Sequence, residues 1–386
     1  MLDLPPFARF GTRVATGLLD VTSDPAALGS AGFWAVVADF EGRTVCARFA
    51  EVREEAVPAP VPGAWRGPSA GDWTSSLDRA AYTAGVRRIR EHIAAGEVYQ
   101  ANLCRVLTAP VGPDADVDAL TALLARGNPA PYAGTIRLPV HGVETATASP
   151  ELFLRRDGRV VESGPIKGTG RTEADLLDKD YAENVMIVDL VRNDLGQVCA
   201  TGTVTVPDLC AVEKHPGLVH LVSTVRGELR EGAGWPELVE AAFPPGSVTG
   251  APKSSALRII DALETAPRGP YCGGIGWVDA DRGTGELAVG IRTFWIDRPS
   301  AHSALLRFGT GAGITWGSDP EAEWAETELK ASRLLAIASG THEVTGAYEV
   351  RESYEATGPC GTTGPCGTTG PYGTTGPYEV EEEGLT

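Results

Sequence analysis

The sequence predicts an α+β fold, and three observations carry that expectation. Hairpin signals recur along the chain, capped helices with apolar residues at helical spacing separate them, and strands and helices alternate from about residue 75 to 340.

The first hairpin signal is FWAVVADFEGRTVCARFAEV, where Glu41-Gly42 separates two β-rich runs. EEAVPAPVPGAWRGPSAGDW follows, rich in proline and glycine, and reads as a linker or long loop. Next, SSLDRAAYTAGVRRIREHIAAG reads as a helix capped by Ser75 or Ser76 and stopped at Gly96. LFLRRDGRVVESGPI is a hairpin with Asp157-Gly158 at its turn. KDYAENVMIVDLVRNDLG is helical to Gly196, and FPPGSVTGAPKSSALRIIDALE is a glycine-rich loop leading into a helix. CGGIGWVDADRGTGELAVGIRTFWID forms another hairpin. SALLRFGTGAGITWGSDPEAEWAETELKASRLLAIA reads as strand, glycine-rich loop and helix. The expected organisation is a strand-rich region with its connection over 1–74, a catalytic domain over 75–342, and a tail over 343–386.

That tail repeats GPCGTT, GPCGTT, GPYGTT and GPY, then closes on EVEEE. Its composition cannot bury a core, so disorder is expected, and glycine does not recur at every third place as collagen requires.

The net charge of −18 argues against a nucleic-acid partner. From residue 341 onward eight glutamates face one arginine, which leaves −11 on the body. An anionic ligand would therefore need local neutralisation by arginine, lysine or a bound cation. No apolar run is long enough for a membrane helix, and the N-terminus lacks a secretory pattern, so a cytoplasmic location is expected. Of the seven cysteines, Cys46, Cys104, Cys199, Cys210 and Cys272 sit among apolar neighbours and Cys360 and Cys366 in the repeat. None forms a CxxC pair, so buried free thiols are expected rather than a metal cluster.

In EAEWAETELK, Glu323, Glu326 and Lys330 are spaced i, i+3, i+7, within roughly 60° of one another on a helix. Two carboxylates on one stripe could hold a divalent cation, though a solvated charged face has the same spacing. FGTGAGI lies just before, and Gly309, Gly311 and Gly313 would let backbone amides approach a carboxylate. Glu183 could add a carboxylate from another helix, or be an ordinary first-turn glutamate. His220 could be a core histidine or a ligand donor. Gly250 is followed by Ala-Pro before Lys253, so the phosphate-loop pattern fails, and no GxSxG elbow is present. Lys167, followed by Gly-Thr in ESGPIKGTGRT, is a candidate nucleophile or a plain surface lysine.

Together the segments GEVYQANL, SPELFL, GPIKGT, AENVMIVDLVRNDLG, HLVSTVRG, PPGSVTGAPK, YCGGIGW, GIRTF and GAGITWGSDPEAEWAETELKA resemble the chorismate-utilising enzymes. They follow the family's order over about residues 90–335. The resemblance implies an α+β fold of two antiparallel sheets packed face to face with helices outside. It implies Mg²⁺ held by Glu183 and Glu326, with Glu323 a further acidic residue of the metal site. Arg292 and Lys330 match the cations that hold the carboxylates of chorismate, and Gly311 and Gly313 the backbone cradle. Gly168, Thr169, His220 and Tyr271 complete the expected substrate contacts, and Glu151 matches the proposed general acid.

PIKGT resembles the aminodeoxychorismate synthase component I branch, where anthranilate and isochorismate enzymes usually carry alanine before Gly-Thr. The resemblance implies that Lys167 attacks the ring as the hydroxyl leaves and that ammonia then displaces it. Gln100 stands where water-adding members carry a lysine base. No Gly-x-Cys-x-Gly elbow is present, so ammonia is expected from a separate glutaminase subunit. The competing readings are an anthranilate or aminodeoxyisochorismate synthase component, and a catalytically silent paralogue that binds chorismate or a glutaminase.

Overall fold

A computed structural model describes residues 5–61, 63–170, 172–215 and 218–341. The repeat tail, with Cys360 and Cys366, lies outside the described residues.

Strand pairing is antiparallel throughout the described residues. One half runs from Gln100–Val111 to Ser303–Ile314, Thr293–Ser300, Val143–Ser149, Tyr132–Leu138 and Phe7–Phe10. The other runs from Arg13–Thr22 to Thr44–Glu54, Phe33–Ala38, Gly274–Asp279 and Thr284–Val289. It continues through Leu152–Asp157, Val160–Gly164 and Leu218–Glu228, with Ile166–Gly170 and Thr205–His215 beside the last. Phe7–Phe10 and Arg13–Thr22 form a hairpin that joins the halves. The two expected sheets are thus two halves of one continuous ladder.

Their inner faces meet in one apolar core. Val36, Cys46, Leu154 and Val289 from one half pack with Cys104, Val106 and Trp295 from the other. Side chains alternate between faces along a strand, so the strand VETATAS, buried along its whole length, serves two layers. Its Ala146 and Ala148 pack under the helices Val117–Gly127 and Pro320–Ala338. Its Val143 packs with Phe33, Ala35 and Ile275 of the other half.

Several expectations change in detail. The N-terminal strands are not a separate region, because Phe7–Phe10 and Phe33–Ala38 each pair with later strands. The Pro/Gly-rich connection is not free either. Trp65 and Trp73 donate their indole N–H groups to the Ala338 carbonyl at 2.7 Å and the Ser339 hydroxyl at 3.1 Å. The first helix is Arg79–Ala94, and its cap is Asp78, which accepts from the Ala81 amide. Ser76 instead accepts from the Val106 amide across the sheet.

The largest correction concerns FGTGAGI, which is strand rather than loop. Gly309, Gly311 and Gly313 pair with Val106, Cys104 and Asn102. Close packing explains the glycines. A Cβ at Gly309 would lie 2.0 Å from Tyr271 Cγ, at Gly311 2.5 Å from Cys104 Sγ, and at Gly313 2.1 Å from Gln100 Nε2.

The free-thiol expectation holds for Cys46, Cys104, Cys199 and Cys272, which are buried, while Cys210 is partly exposed. No described helix is long and apolar enough to cross a membrane.

Candidate active site

Lys167 is not at a strand end. It is the second residue of the strand Ile166–Gly170 and pairs with Leu221. The register shifts between Lys167 and Thr169, at Gly168 with φ +75°. Glycine tolerates that left-handed conformation, and a bulge there re-aims the neighbouring side chain. Gly168 itself packs against Asp180 and Leu176 at the start of the next helix.

The Lys167 amine donates to the Ser247 carbonyl at 3.1 Å. Ser247 belongs to the turn Gly246–Val248, held from both sides. Thr249 Oγ1 donates to the Pro245 carbonyl at 2.8 Å, and Arg268 donates to the Val248 carbonyl at 2.9 Å. Arg268 is fully buried, pairs with Glu264 at 2.6 Å, and also donates to the Asn102 carbonyl. One buried guanidinium therefore fixes this turn against the Gln100–Val111 strand. Lys253, from the failed phosphate-loop pattern, is a structural tie, bound to Asp194 at 2.8 Å and to the Ala242 carbonyl.

Glu151 is 4% exposed. The Ser247 side chain, the Lys167 charge and the Ile166 backbone all favour its charged form. Burial nevertheless pushes it up to about 7. The same physics acts on Lys167 in the opposite sense. Burial lowers it, with Lys330 adding to the effect and Glu183 and Glu151 opposing it. Burial thus favours the uncharged form of both groups, a carboxylic acid at Glu151 and an amine at Lys167.

Glu183 on one helix and Glu323 and Glu326 on another interact electrostatically through Glu326. Burial raises Glu183, Lys167 and Lys179 counter it, and Glu326 adds to it. Burial also raises Glu323, with the Ser318 side chain opposing and Glu326 adding to the shift. Burial pushes Glu326 upward too, but Lys330, Lys179 and Lys167 outweigh it and hold that carboxyl below its ordinary value. Lys330 pairs with Glu326 at 2.7 Å and donates to the Gly311 carbonyl at 3.1 Å. The helical stripe expected from spacing therefore forms. Among the described residues no group of three or more His, Cys, Asp or Glu is arranged to hold a metal ion. Glu326 is within electrostatic reach of both Glu183 and Glu323, and carboxylate oxygen is the donor type that a hard divalent cation takes.

Arg292 has φ +52° and lies partly buried next to Arg333, and burial with that neighbour lowers it. Among the described residues no carboxylate pairs with it. A desolvated guanidinium without a counter-ion favours an anionic ligand. His220 is 3% exposed and lies across from Thr169 on the neighbouring strand. Tyr271 is buried in the core with its ring on Gly309. Gly311 and Gly313 lie beyond Phe308, where the pairing with Thr293–Ser300 ends, so one strand edge is open along the glycines.

The sequence reading missed Ser247, Ser318 and Lys179, which have no signature beyond their segment. It also gave Gln100 only a negative meaning. Gln100 is fully buried beside Gly313, and neither amide atom has a hydrogen-bond partner; Asn102 Oδ1 is likewise unpaired.

An antiparallel double-layered α+β fold with a buried acid, a desolvated lysine, an acidic helical pair and an unpaired arginine defines a class that handles a small anionic substrate. The chorismate binding enzyme family matches residues 24–336, and the chain belongs to that family. It is 40% identical over 275 residues to anthranilate synthase component 1 1 of Haloarcula marismortui, covering 68% of this chain and 54% of that protein. It is 34% identical over 347 residues to aminodeoxychorismate synthase component 1 of Salmonella typhimurium, covering 85% and 73%. The chain thus spans about half the length of the Haloarcula protein. Among solved structures, a putative 2,3-dihydroxybenzoate-specific isochorismate synthase from Bacillus anthracis superposes with TM-score 0.70 at 26% identity, covering 88% of this chain and 96% of that one.

Proposed function

We propose that this chain catalyses the amination of chorismate to 4-amino-4-deoxychorismate, as an aminodeoxychorismate synthase component I. The observation that carries the reading is a buried Lys167, bound to the Ser247 carbonyl, within electrostatic reach of the buried Glu151. A relative named anthranilate synthase and one named aminodeoxychorismate synthase are comparably similar, so overall similarity does not choose between them. Lys167 favours the second.

In this reading Arg292 and Lys330 bind the carboxylates of chorismate, and the open strand edge at Gly311 and Gly313 cradles one of them. The neutral Lys167 amine attacks the ring. A C–N bond forms, the ring double bond shifts, and the bond to the departing hydroxyl breaks. Protonated Glu151 gives that hydroxyl its proton, so water leaves and Glu151 becomes a carboxylate. The new secondary ammonium then loses a proton to Glu151. Ammonia adds at the carbon that lost the hydroxyl, the ring double bond shifts back, and the C–N bond to Lys167 breaks with its electron pair going to the lysine nitrogen. Protonated Glu151 gives that nitrogen its proton to restore the amine, and the product's new ammonium then returns a proton to Glu151. Glu183, Glu323 and Glu326 would hold Mg²⁺, which when bound would draw electron density toward the ring carboxylate. A separate glutaminase would supply the ammonia.

The test is incubation of the full chain with chorismate, Mg²⁺ and ammonium, with the product identified by mass and ultraviolet spectrum. 4-Amino-4-deoxychorismate is expected. Anthranilate as the sole product would overturn the assignment, and no turnover would favour a silent binding paralogue.

A further inference from the structure

A second cavity, of about 210 Å³, lies outside the candidate active site, and none of its lining residues is a candidate site residue. It opens between the Phe33–Ala38 and Thr44–Glu54 turn, the Pro139–His141 turn and the strand Thr293–Ser300. That volume would hold about seven waters at liquid density. It is smaller than pockets for drug-sized ligands, roughly 300–1,000 Å³.

Its walls are acidic. Asp39, Glu41, Glu144 and Asp297 face it, against Arg43 and Arg307. Asp297 pairs with Arg307 at 2.6 Å, and Glu144 is held by Arg298 at 2.5 Å. Among the described residues the only cation paired with Asp39 is Arg43 at 3.6 Å, itself about half exposed. Glu41 accepts from the Arg268 and Gly269 amides at 2.7 and 3.1 Å, and among the described residues it has no side-chain cation. The carboxylates feel one another. Burial raises Asp39 to about 6 in spite of Arg43, with Glu41 and Asp297 adding to the shift.

A second observation is independent of charge. Thr145, Trp295 and Arg307 are direct cross-strand neighbours on three adjacent strands, and all three line the cavity. Opposed residues project from the same face, so the Thr145 hydroxyl points the way of the Trp295 ring. Thr145 is 1% exposed, and its Oγ1 has no hydrogen-bond partner. A buried hydroxyl without a partner is costly, and a donor placed in the cavity would satisfy it.

We propose that this cavity binds a small organic ammonium ion. An ammonium brings donors for Thr145 and for Asp39, and positive charge for the acidic wall. Trp295 supplies an aromatic wall beside the acidic groups, and Val37, Val143 and the prolines 267 and 270 accept an apolar stem.

The test is ¹⁹F NMR on the full chain with 4-fluorobenzylamine as probe and 4-fluorobenzyl alcohol as its neutral counterpart. Saturable amine binding is expected, with the alcohol weaker by roughly tenfold or more. Asp39→Asn and Thr145→Val should each weaken the amine by a similar factor, while excess chorismate leaves it bound. Asp39→Asn alone decides the matter if Thr145→Val does not fold. Equal binding of amine and alcohol, no saturation up to about 10 mM, or insensitivity to Asp39→Asn would overturn the proposal.

Discussion

The Lys167 amine donates to the Ser247 carbonyl at 3.1 Å, and Ser247 and Lys167 both favour the charged form of Glu151. One residue on a braced turn therefore holds the candidate nucleophile and acts on the candidate acid. This explains why a lysine can occupy a bulged strand position whose surroundings discourage its charge.

Glu151 gives a pH signature. Its carboxyl is raised to about 7 in the fold, so the acid form is present below that pH and lost above it. Turnover per bound substrate should fall as pH rises through about 7. Stability follows the same sign. The contribution is fully present below the unfolded value and is lost as pH rises to about 7, by an order of 3 kcal/mol. Glu151→Gln should melt higher than wild type at pH 8, gain less at pH 5, and lose roughly 10²–10⁴-fold in rate. A melting curve with no pH-dependent difference would contradict the burial argument.

Much of this was legible in the sequence, and the reasons differ by residue. The stripe of Glu323, Glu326 and Lys330 follows from helical period alone, and the structure pairs Glu326 with Lys330. The Asp157-Gly158 turn follows from turn chemistry, with Gly158 at φ +59°. The glycines at 309, 311 and 313 were misread as loop. Their cause is the bulk of Tyr271, Cys104 and Gln100, up to about 200 residues away in sequence, which no local pattern contains. Ser75 and Ser76 both look like caps, but the Val106 amide takes up Ser76 in a tertiary bond and Asp78 caps the helix instead. The acidic cavity had no sequence signal, because its residues come from separate turns and strands.

Glu326→Gln should weaken Mg²⁺ dependence of turnover by roughly tenfold or more, since a hard cation loses one of few charged oxygens. It should leave the far-ultraviolet circular dichroism unchanged. A magnesium titration identical to wild type would remove Glu326 from the metal site.

Gly309→Ala should destabilise by about 1–3 kcal/mol, because its Cβ would press on the Tyr271 ring in a packed core. Gly317→Ala, with open space around its Cβ position, is the control and should melt within a degree or two of wild type. Equal melting of both variants would contradict the close-packing explanation of the glycine strand.

The central claim is that Lys167 forms a covalent bond to the ring, and product analysis of Lys167→Ala beside intact-mass analysis of wild type tests it most directly. With chorismate, Mg²⁺ and ammonium, wild type should form 4-amino-4-deoxychorismate and carry a transient adduct of dehydrated chorismate mass. Lys167→Ala should still bind chorismate through Arg292 and Lys330. It should lose that product by on the order of a thousandfold, with traces of aminodeoxyisochorismate, anthranilate or isochorismate from direct attack. Efficient formation of 4-amino-4-deoxychorismate by Lys167→Ala would contradict the account and return anthranilate chemistry as the better reading.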